Sequence, residues 1–251
     1  MVNLNGTFAP IVTPFTDDGM AVSEIRLARM VRWLLHMGVQ GLVVGSDTGE
    51  FTTLSFSERK STLEWTLREA KGGCRVLANV SSLSTAASLD LAQHAGRHGA
   101  HAAVLMLPYY GEYTEDEIFS FVQTVSAYAK LPIILVDRFQ AITPELKTRL
   151  AFTHSLVHAE PFGANRPRTD EFVVDDLRVN PLYTIQPHEE TVNPALVQLV
   201  RAAGRAKVVK AGLELHNVDV GPPRGPLKRL VGEPLALLEQ ILRPSVSRLE
   251  A

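Results

Sequence analysis

The residues best suited to chemistry form one run, Ser46-Asp47-Thr48-Gly49-Glu50, which follows a short apolar segment. Hydroxyl groups, backbone amides and a glycine turn placed together can hold a carboxylate or an oxyanion. A plainer interpretation is also open, in which the run is only the capped loop that leads into the next helix. The sequence therefore predicts either an anion-binding loop or a helix entry here.

Three carboxylates, Asp47, Asp137 and Glu160, each follow a different apolar run. Hard oxygen ligands of this kind suit Mg²⁺ or Mn²⁺, which can polarise a carbonyl group without a covalent adduct. These residues have no local ligand spacing, however, and Asp137 can pair instead with Arg138 or with solvent. We therefore expect no cofactor and keep the three carboxylates as a speculative metal set.

Two histidines, His94 and His98, stand four residues apart in a segment with helical periodicity, and His101 follows closely. A pair with this spacing shares one helix face and can bind zinc. The helix would lie on the outside of the fold, far from the strand ends. That position favours ordinary surface histidines over a metal site.

The elements that must position these residues alternate regularly over the first 159 residues. Short runs rich in Val, Ile, Leu and Ala alternate with amphipathic segments, which is typical of a parallel sheet covered by helices. Because no dinucleotide-binding glycine motif is present, the repeats favour a TIM-type (βα)8 barrel over an open sheet. The predicted strands cover residues 7–12, 41–44, 75–80, 102–107, 132–136 and 156–159, and the helices between them cover 23–37, 57–70, 85–98, 114–129 and 144–152.

The regularity stops after residue 159. Residues 160–187 are rich in Pro, Arg, Asp and Asn, and only 171–174 and 182–185 could form short strands. Helical periodicity resumes at 194–203, 206–215 and 234–242. We therefore predict an α/β barrel that is incomplete or rebuilt after its sixth strand. Residues 1–205 would form the barrel domain, irregular from about 160, and residues 206–251 a C-terminal helical segment packed on it.

Composition excludes several classes of protein. The chain has 251 residues, is 45% hydrophobic and carries a formal net charge of -2, with both signs mixed along its length. Binding to nucleic acid would need a concentrated basic surface. The single cysteine, Cys74, excludes an internal disulfide framework and fits a reducing compartment. No apolar run approaches a membrane span. We expect a soluble cytoplasmic protein with no nucleic-acid or membrane partner.

Several motifs, in the correct order, resemble the dihydrodipicolinate synthase / N-acetylneuraminate lyase family over about residues 1–160 and 206–230. They are the opening strand ending in Thr13-Pro14-Phe15, the Asp47–Glu50 loop, Pro108-Tyr109-Tyr110, and Val209-Lys210-Ala211 followed by Val220–Arg224. The resemblance implies a (βα)8 barrel in which Asp47, Thr48, Gly49 and Glu50 bind the carboxylate of a 2-oxo acid. It also implies that Thr48 and Tyr110 are retained catalytic positions. Since family members commonly form tetramers, the resemblance implies a homo-oligomer too.

The departures from the family pattern fall on the reactive groups. The Schiff-base lysine of strand six corresponds to Ala159, and the proton-transferring tyrosine of strand five corresponds to Val136. Neither side chain can perform those steps. Asp47 stands in place of a threonine and would repel a carboxylate, and the interval between Ala159 and Val209 is several dozen residues shorter than in the family. A relocated lysine, at Lys210 for example, would need a desolvated pocket to lower its pKa.

Two hypotheses remain open. The favoured one is a divergent family member that is not a working class I aldolase and retains a site for a small carboxylate. The alternative is an active lyase on a 2-oxo acid, with a metal-assisted or acid–base mechanism that uses Asp47, Asp137 and Glu160 in place of a Schiff base.

Overall fold

A computed structural model describes residues 6–108, 110–137, 142–150, 156–158, 172–174, 177–179 and 193–249. Within this part of the chain, eight strands form one sheet in the order β6-β5-β4-β3-β2-β1-β8-β7. All neighbouring strands are parallel except β7 and β8, which are antiparallel. The strands are β1 (Gly6–Pro10), β2 (Gly41–Val44), β3 (Arg75–Asn79), β4 (Ala102–Met106), β5 (Ile133–Val136), β6 (Leu156–His158), β7 (Phe172–Val174) and β8 (Leu177–Val179).

The helices lie where the periodicity predicts them. Their ends differ from the predicted ends by two residues at most, except that the last helix continues well beyond residue 242. They are α1 (Glu24–His36), α2 (Phe56–Ala70), α3 (Thr85–Arg97), α4 (Glu115–Ala129), α5 (Pro144–Leu150), α6 (Pro194–Ala203), α7 (Arg205–Leu215) and α8 (Glu233–Leu249), with a short 3₁₀ helix at Phe51–Thr53.

Two capping boxes, which the Ser/Thr-x-x-Glu patterns beginning at Ser55 and Thr114 indicate in the sequence, explain why α2 and α4 begin where they do. The hydroxyl of Ser55 accepts a hydrogen bond from the backbone of Glu58, whose carboxylate accepts one from the backbone of Ser55. Thr114 and Glu117 make the same reciprocal pair at α4. Each box satisfies two backbone donors that the first helical turn leaves without partners.

The six predicted strands are confirmed, and the irregular region contributes a strand beside β1. β1 pairs with β2 on one side and with β8 on the other. The pairing with β8 is parallel, and it places Gly6 opposite Leu177 and Phe8 opposite Val179. The predicted short strand at 171–174 corresponds to β7, whereas the one at 182–185 lies outside the described residues. The described part of the chain after the sixth strand therefore adds two strands to the sheet, and they join it at the β1 edge.

The sheet has a narrow inner face and a broad outer one. The inner face is a small apolar cluster of Phe8, Val43, Leu77, Ala102, Val104 and Ile134. Because alternate strand residues share a face, Val136 follows Ile134 onto the inner side at the carboxyl end of β5, where it packs against this cluster. A Cβ at Gly41 would lie 2.2 Å from the Phe8 ring, so glycine is required for that ring to fill the interior. The outer face packs against the helices in a much larger core.

Among the described residues, no helix is long and apolar enough to cross a membrane.

Candidate functional site

The loop after β2 is a tight turn packed against the end of β1. The backbone N–H of Gly49 donates to the carbonyl of Ser46 at 2.9 Å, and the hydroxyl of Thr13 donates to the carbonyl of Gly49 at 2.6 Å. A Cβ at position 49 would lie 3.0 Å from the carbonyl oxygen of Ile11, so the close approach of the two segments favours glycine. The predicted loop is thus a rigid structure at the carboxyl edge of the sheet, where barrel enzymes place their chemistry.

Two hydroxyls of this loop are buried and make no hydrogen bond to the residues that the structure describes. The side chains Ser46 and Thr48 are 5% and 0% exposed, and neither Oγ of Ser46 nor Oγ1 of Thr48 has a partner in the described part of the chain. Buried polar groups in folded proteins are nearly always paired with protein, water or ligand. Two orphaned hydroxyls in one turn are therefore a candidate recognition site. Both residues belong to the run predicted as an anion-binding loop, although the family resemblance implies a binding role only for Thr48 and not for Ser46.

The carboxylate of Glu50, the last residue of the predicted binding loop, is paired with residues of the C-terminal part of the chain. Its Oε1 lies 2.7 Å from the Nζ of Lys210, and its Oε2 accepts a hydrogen bond from the backbone of Arg224 at 2.8 Å. Both carboxylate oxygens therefore have partners within the protein. This geometry gives Glu50 a role in holding the C-terminal part, and its substrate-binding role remains a prediction.

Lys210 is the most deeply buried cation of the described residues. Its side chain is 2% exposed, its Nζ also donates to the carbonyl of Pro222 at 2.9 Å, and it lies 4.3 Å from the centre of the Phe15 ring. Burial lowers its pKa to about 8, although the charge of Glu50 acts in the opposite direction. The desolvated environment that a reactive lysine needs is thus present. However, a carboxylate, a carbonyl and an aromatic ring surround the amine, which is not exposed to an incoming carbonyl compound.

Arg224 joins the same C-terminal segment to the loop before α1, to the 3₁₀ helix and to the first turn of α2. Its guanidinium donates to the carbonyls of Gly19, Met20 and Thr53 and to both carboxylate oxygens of Glu58. The carbon of the guanidinium lies 4.2 Å from the centre of the Phe15 ring. Arginine hydrogen bonds also hold the pKa of the Glu58 carboxyl below its usual value. Arg224 is therefore a structural clamp beside the strand ends.

The remaining predicted residues are dispersed. Val136 lies at the carboxyl end of β5 on the inner face, and its correspondence to the family tyrosine remains a prediction. Asp137 is 9% exposed and its Oδ2 accepts a hydrogen bond from the backbone of Ile142 at 2.9 Å. Tyr110 is 79% exposed, and Asp47 is partly exposed. Tyr109, Arg138, Ala159 and Glu160 lie outside the described residues, so the speculative metal set of Asp47, Asp137 and Glu160 remains a prediction.

The predicted histidine pair is at the C-terminal end of α3, with His94 in the last turn and His98 as the C-cap. His94 borders a small cleft between β2, β3, α2 and α3, which Arg59, Leu63 and Leu91 also line. Burial lowers the pKa of His94 and the charge of His98 acts in the same direction, while the charge of Glu64 acts against them. Glu64 on α2 lies beside both histidines, a contact that no local spacing in the sequence indicates.

The comparison with protein families decides the relationship. The sequence model of the Dihydrodipicolinate synthetase family matches residues 3–158, which is more than half of the chain. The chain belongs to this family. The resemblance seen in the loop motifs is thereby confirmed.

Curated relatives and solved structures agree with this assignment. The chain is 36% identical over 132 residues to 4-hydroxy-tetrahydrodipicolinate synthase of Bradyrhizobium diazoefficiens, an alignment that covers 53% of this chain and 44% of that protein. It is 33% identical over 156 residues to the synthase of Methanopyrus kandleri, covering 61% and 52%. The aligned region thus spans about half the length of these relatives.

Two solved structures establish the fold over nearly the whole chain. A dihydrodipicolinate synthase from Bacillus anthracis matches with a TM-score of 0.81 and 20% identity, covering 97% of this chain and 99% of that one. A catalytic lysine mutant of the Ruminococcus gnavus sialic acid aldolase matches with a TM-score of 0.83 and 19% identity, covering 99% of both. The predicted α/β barrel class is therefore confirmed.

Proposed function

We propose that this member of the dihydrodipicolinate synthetase family binds a small carboxylate of the 2-oxo acid class without forming a Schiff base. The observation that carries the proposal is the pair of buried, unpaired hydroxyls of Ser46 and Thr48. A carboxylate has two oxygens and about four acceptor sites, so one ligand group could accept hydrogen bonds from both side chains. Such bonds to a charged acceptor are stronger than neutral ones.

The residues at the positions of the family's reactive groups support the proposal that no Schiff base forms. The strand-six lysine position is Ala159 in the sequence, and the strand-five tyrosine position is Val136 on the inner face of the sheet. Lys210 has a lowered pKa but is enclosed by Glu50, Pro222 and Phe15. A ligand at the Thr48 loop would therefore be bound without attack by an amine.

Binding is tested with Thr48→Val, which keeps the shape of the side chain and removes its hydroxyl. We expect the affinity for pyruvate, measured by isothermal titration calorimetry, to fall about tenfold or more, because one hydrogen bond to a charged group is lost. Thr53→Val is the matched control. Its hydroxyl already donates to the carbonyl of Glu50, so binding should change little. Equal affinities of wild type and Thr48→Val would contradict the proposed site.

Removing the charge of Asp47 should change the affinity in the opposite direction to Thr48→Val. Asp47→Asn removes a negative charge from the turn and should tighten pyruvate binding several-fold at low salt, because like charges repel. If the ligand is held elsewhere, both Thr48→Val and Asp47→Asn should leave the affinity unchanged.

The absence of imine chemistry is tested by incubating the protein with pyruvate and sodium borohydride, followed by mass spectrometry. An imine would be reduced to a stable secondary amine on the lysine that formed it. We expect no adduct under conditions that label a lysine-dependent aldolase. A pyruvate-derived adduct on Lys210, or on any other lysine, would overturn the proposal.

We also infer a homo-oligomer from the family resemblance. Tyr110, in the loop where the family places an interface tyrosine, is 79% exposed in the single chain, which suits a side chain that becomes covered on assembly. Light scattering of the purified protein measures the assembled mass, and a monomer at all concentrations would contradict the inference.

A further inference from the structure

A compact set of nitrogen and oxygen ligands lies on the outer layer of the fold, between α2 and α3. Glu64 belongs to α2, His94 lies in the last turn of α3, and His98 follows one turn later as the C-cap of that helix. One ligand atom from each of the three side chains lies within 4.8 Å of the other two. Glu64 Oε1 is 3.0 Å from Nε2 of His94 and 3.8 Å from Nε2 of His98.

The tautomer of His98 is set by its neighbour. Its Nδ1 lies 2.9 Å from the carbonyl oxygen of His94, an atom that can only accept a hydrogen bond. In the neutral ring, Nδ1 therefore carries the hydrogen, and Nε2 keeps a free lone pair on the side facing Glu64. A backbone carbonyl that fixes the far ring nitrogen in this way is the usual support of a metal-binding histidine.

His94 provides an independent indication. Its side chain is 10% exposed, and its Nε2 is buried without a hydrogen-bond partner in the described part of the chain, although Glu64 Oε1 is only 3.0 Å away. The oxygen is within ion-pair distance of the nitrogen, yet the two atoms are not hydrogen-bonded. Two atoms that bind the same ion lie close together without a hydrogen bond between them. The lone pair of the nitrogen then points at the ion, and the oxygen lies beside that direction.

The separations also fit a single ion. Two ligand atoms on a tetrahedral zinc ion, each about 2.0–2.1 Å from the metal, are about 3.3 Å apart. The two nitrogen–oxygen distances, 3.0 and 3.8 Å, fall on either side of that value. Small rotations of exposed side chains would equalise them, since Glu64 and His98 are 43% and 41% exposed.

We propose that Glu64, His94 and His98 form a binding site for a divalent transition metal ion of the zinc class, which fastens α2 to α3. Two imidazole nitrogens and one carboxylate oxygen suit Zn²⁺, Co²⁺ or Ni²⁺, whereas Mg²⁺ and Ca²⁺ prefer all-oxygen sites. Three protein ligands leave the fourth tetrahedral position to water on the exposed side. The site is separate from the Thr48 loop and does not depend on the proposed function.

The charges around the cluster are balanced. Lys60 and Arg97 both contribute positive charge near His94, which opposes a bound cation. Asp90 pairs with Lys60 at 2.6 Å and offsets one of these charges, and Glu64 supplies the negative ligand. The net charge around the ion is therefore close to zero, so its affinity depends on the bonds to the three ligand atoms and not on the surrounding charge.

The test uses the full chain after treatment with a chelator. Zinc affinity and stoichiometry are measured by competition with a coloured chelator, and Co²⁺ is added to follow the visible absorption of a tetrahedral site. We expect one zinc ion per chain and a rise in the thermal unfolding temperature with Zn²⁺ that Mg²⁺ does not reproduce. His98→Gln and Glu64→Gln should each weaken zinc binding about tenfold or more and abolish the Co²⁺ absorption.

His36→Gln is the matched control, because His36 is an exposed histidine at the end of α1, outside the cluster. It should bind zinc as the wild type does. His98 and Glu64 are both substantially exposed, so their variants are expected to fold, and His94→Gln adds a third measurement. Failure of the wild type to bind zinc would overturn the proposal. Wild-type affinity in both His98→Gln and Glu64→Gln would overturn it equally, since the ion would then be bound by other residues.

Discussion

At the scale of single residues, the burial of the Lys210 side chain carries an evident free-energy cost. Removing an ammonium group from water carries a large free-energy cost, which the ion pair with Glu50 and the hydrogen bond to Pro222 offset in part. The pKa lowered to about 8 records this cost, with burial as its main cause. The charged form of Lys210 is thus disfavoured in the folded protein relative to the unfolded chain.

The pH dependence of Lys210 follows from linkage. The unfolded chain keeps the proton up to the ordinary pKa of 10.5, whereas the folded protein releases it near 8. Between these values the unfolded state binds more protons, so stability rises with pH through this window. Chemical denaturation from pH 7 to 10 should show the free energy of unfolding of the wild type rising relative to that of Lys210→Met by on the order of 1–2 kcal/mol.

Lys207→Met provides the comparison, because Lys207 lies on the same helix and is not buried. Its difference from the wild type should stay constant over the same pH range. A difference between wild type and Lys210→Met that is independent of pH would show that the lysine titrates alike in the folded and unfolded states.

At the scale of elements, helix starts in this protein differ in how well they are capped. The hydroxyl of Thr114 accepts a hydrogen bond from the backbone of Glu117 in a complete capping box. Ser84 occupies the same position at the start of α3 but makes no side-chain capping hydrogen bond. Both N-cap residues are exposed, so they differ in hydrogen bonding and not in burial.

Thr114→Ala should therefore lower the free energy of unfolding by about 1 kcal/mol, the usual value for loss of an N-cap. Ser84→Ala should change it by only a few tenths, since no capping hydrogen bond is removed. Urea denaturation of the two variants gives the comparison directly. Equal destabilisation by the two substitutions would mean that the capping box contributes nothing measurable.

At the scale of the whole molecule, contacts between distant parts of the sequence hold the C-terminal segment against the first two strand–helix units. Arg224 bonds to residues 166 to 205 positions earlier in the chain, and Arg26 on α1 pairs with Asp219 at 2.7 Å. The division into a barrel of residues 1–205 and a helical segment of 206–251 remains a proposal. Its C-terminal part is nevertheless bound to the β1 and β2 loops through buried polar contacts.

Arg224→Lys tests the importance of this clamp. Lysine keeps the charge but lacks the planar guanidinium that reaches three carbonyls and a carboxylate at once, so several partly buried acceptors lose their partner. We expect a loss of about 2 kcal/mol or more in the free energy of unfolding. Arg229→Lys, which affects an ion pair with Glu214 at an arginine that is 48% exposed, should cost well under about 1 kcal/mol. Similar losses in both variants would contradict the clamp.

Much of the fold could be predicted because its signals are local. Apolar runs of strand length, helical periodicity and the Ser55 and Thr114 capping boxes depend on neighbours within a few positions, and the structure confirms them. The strand Leu177–Val179 was not predicted, because three residues carry no periodic pattern and their strand character depends on pairing with β1.

The sequence by itself determined the family, the order of the first six strands, and the identities at positions 136 and 159, because these depend only on residue type and spacing. The tertiary structure decided which of those residues have partners. It placed Lys210 against Glu50, left the hydroxyls of Ser46 and Thr48 unpaired, and brought Glu64 to the histidines of α3. Such contacts join side chains on separate elements, and only the packing of those elements sets the distances between them.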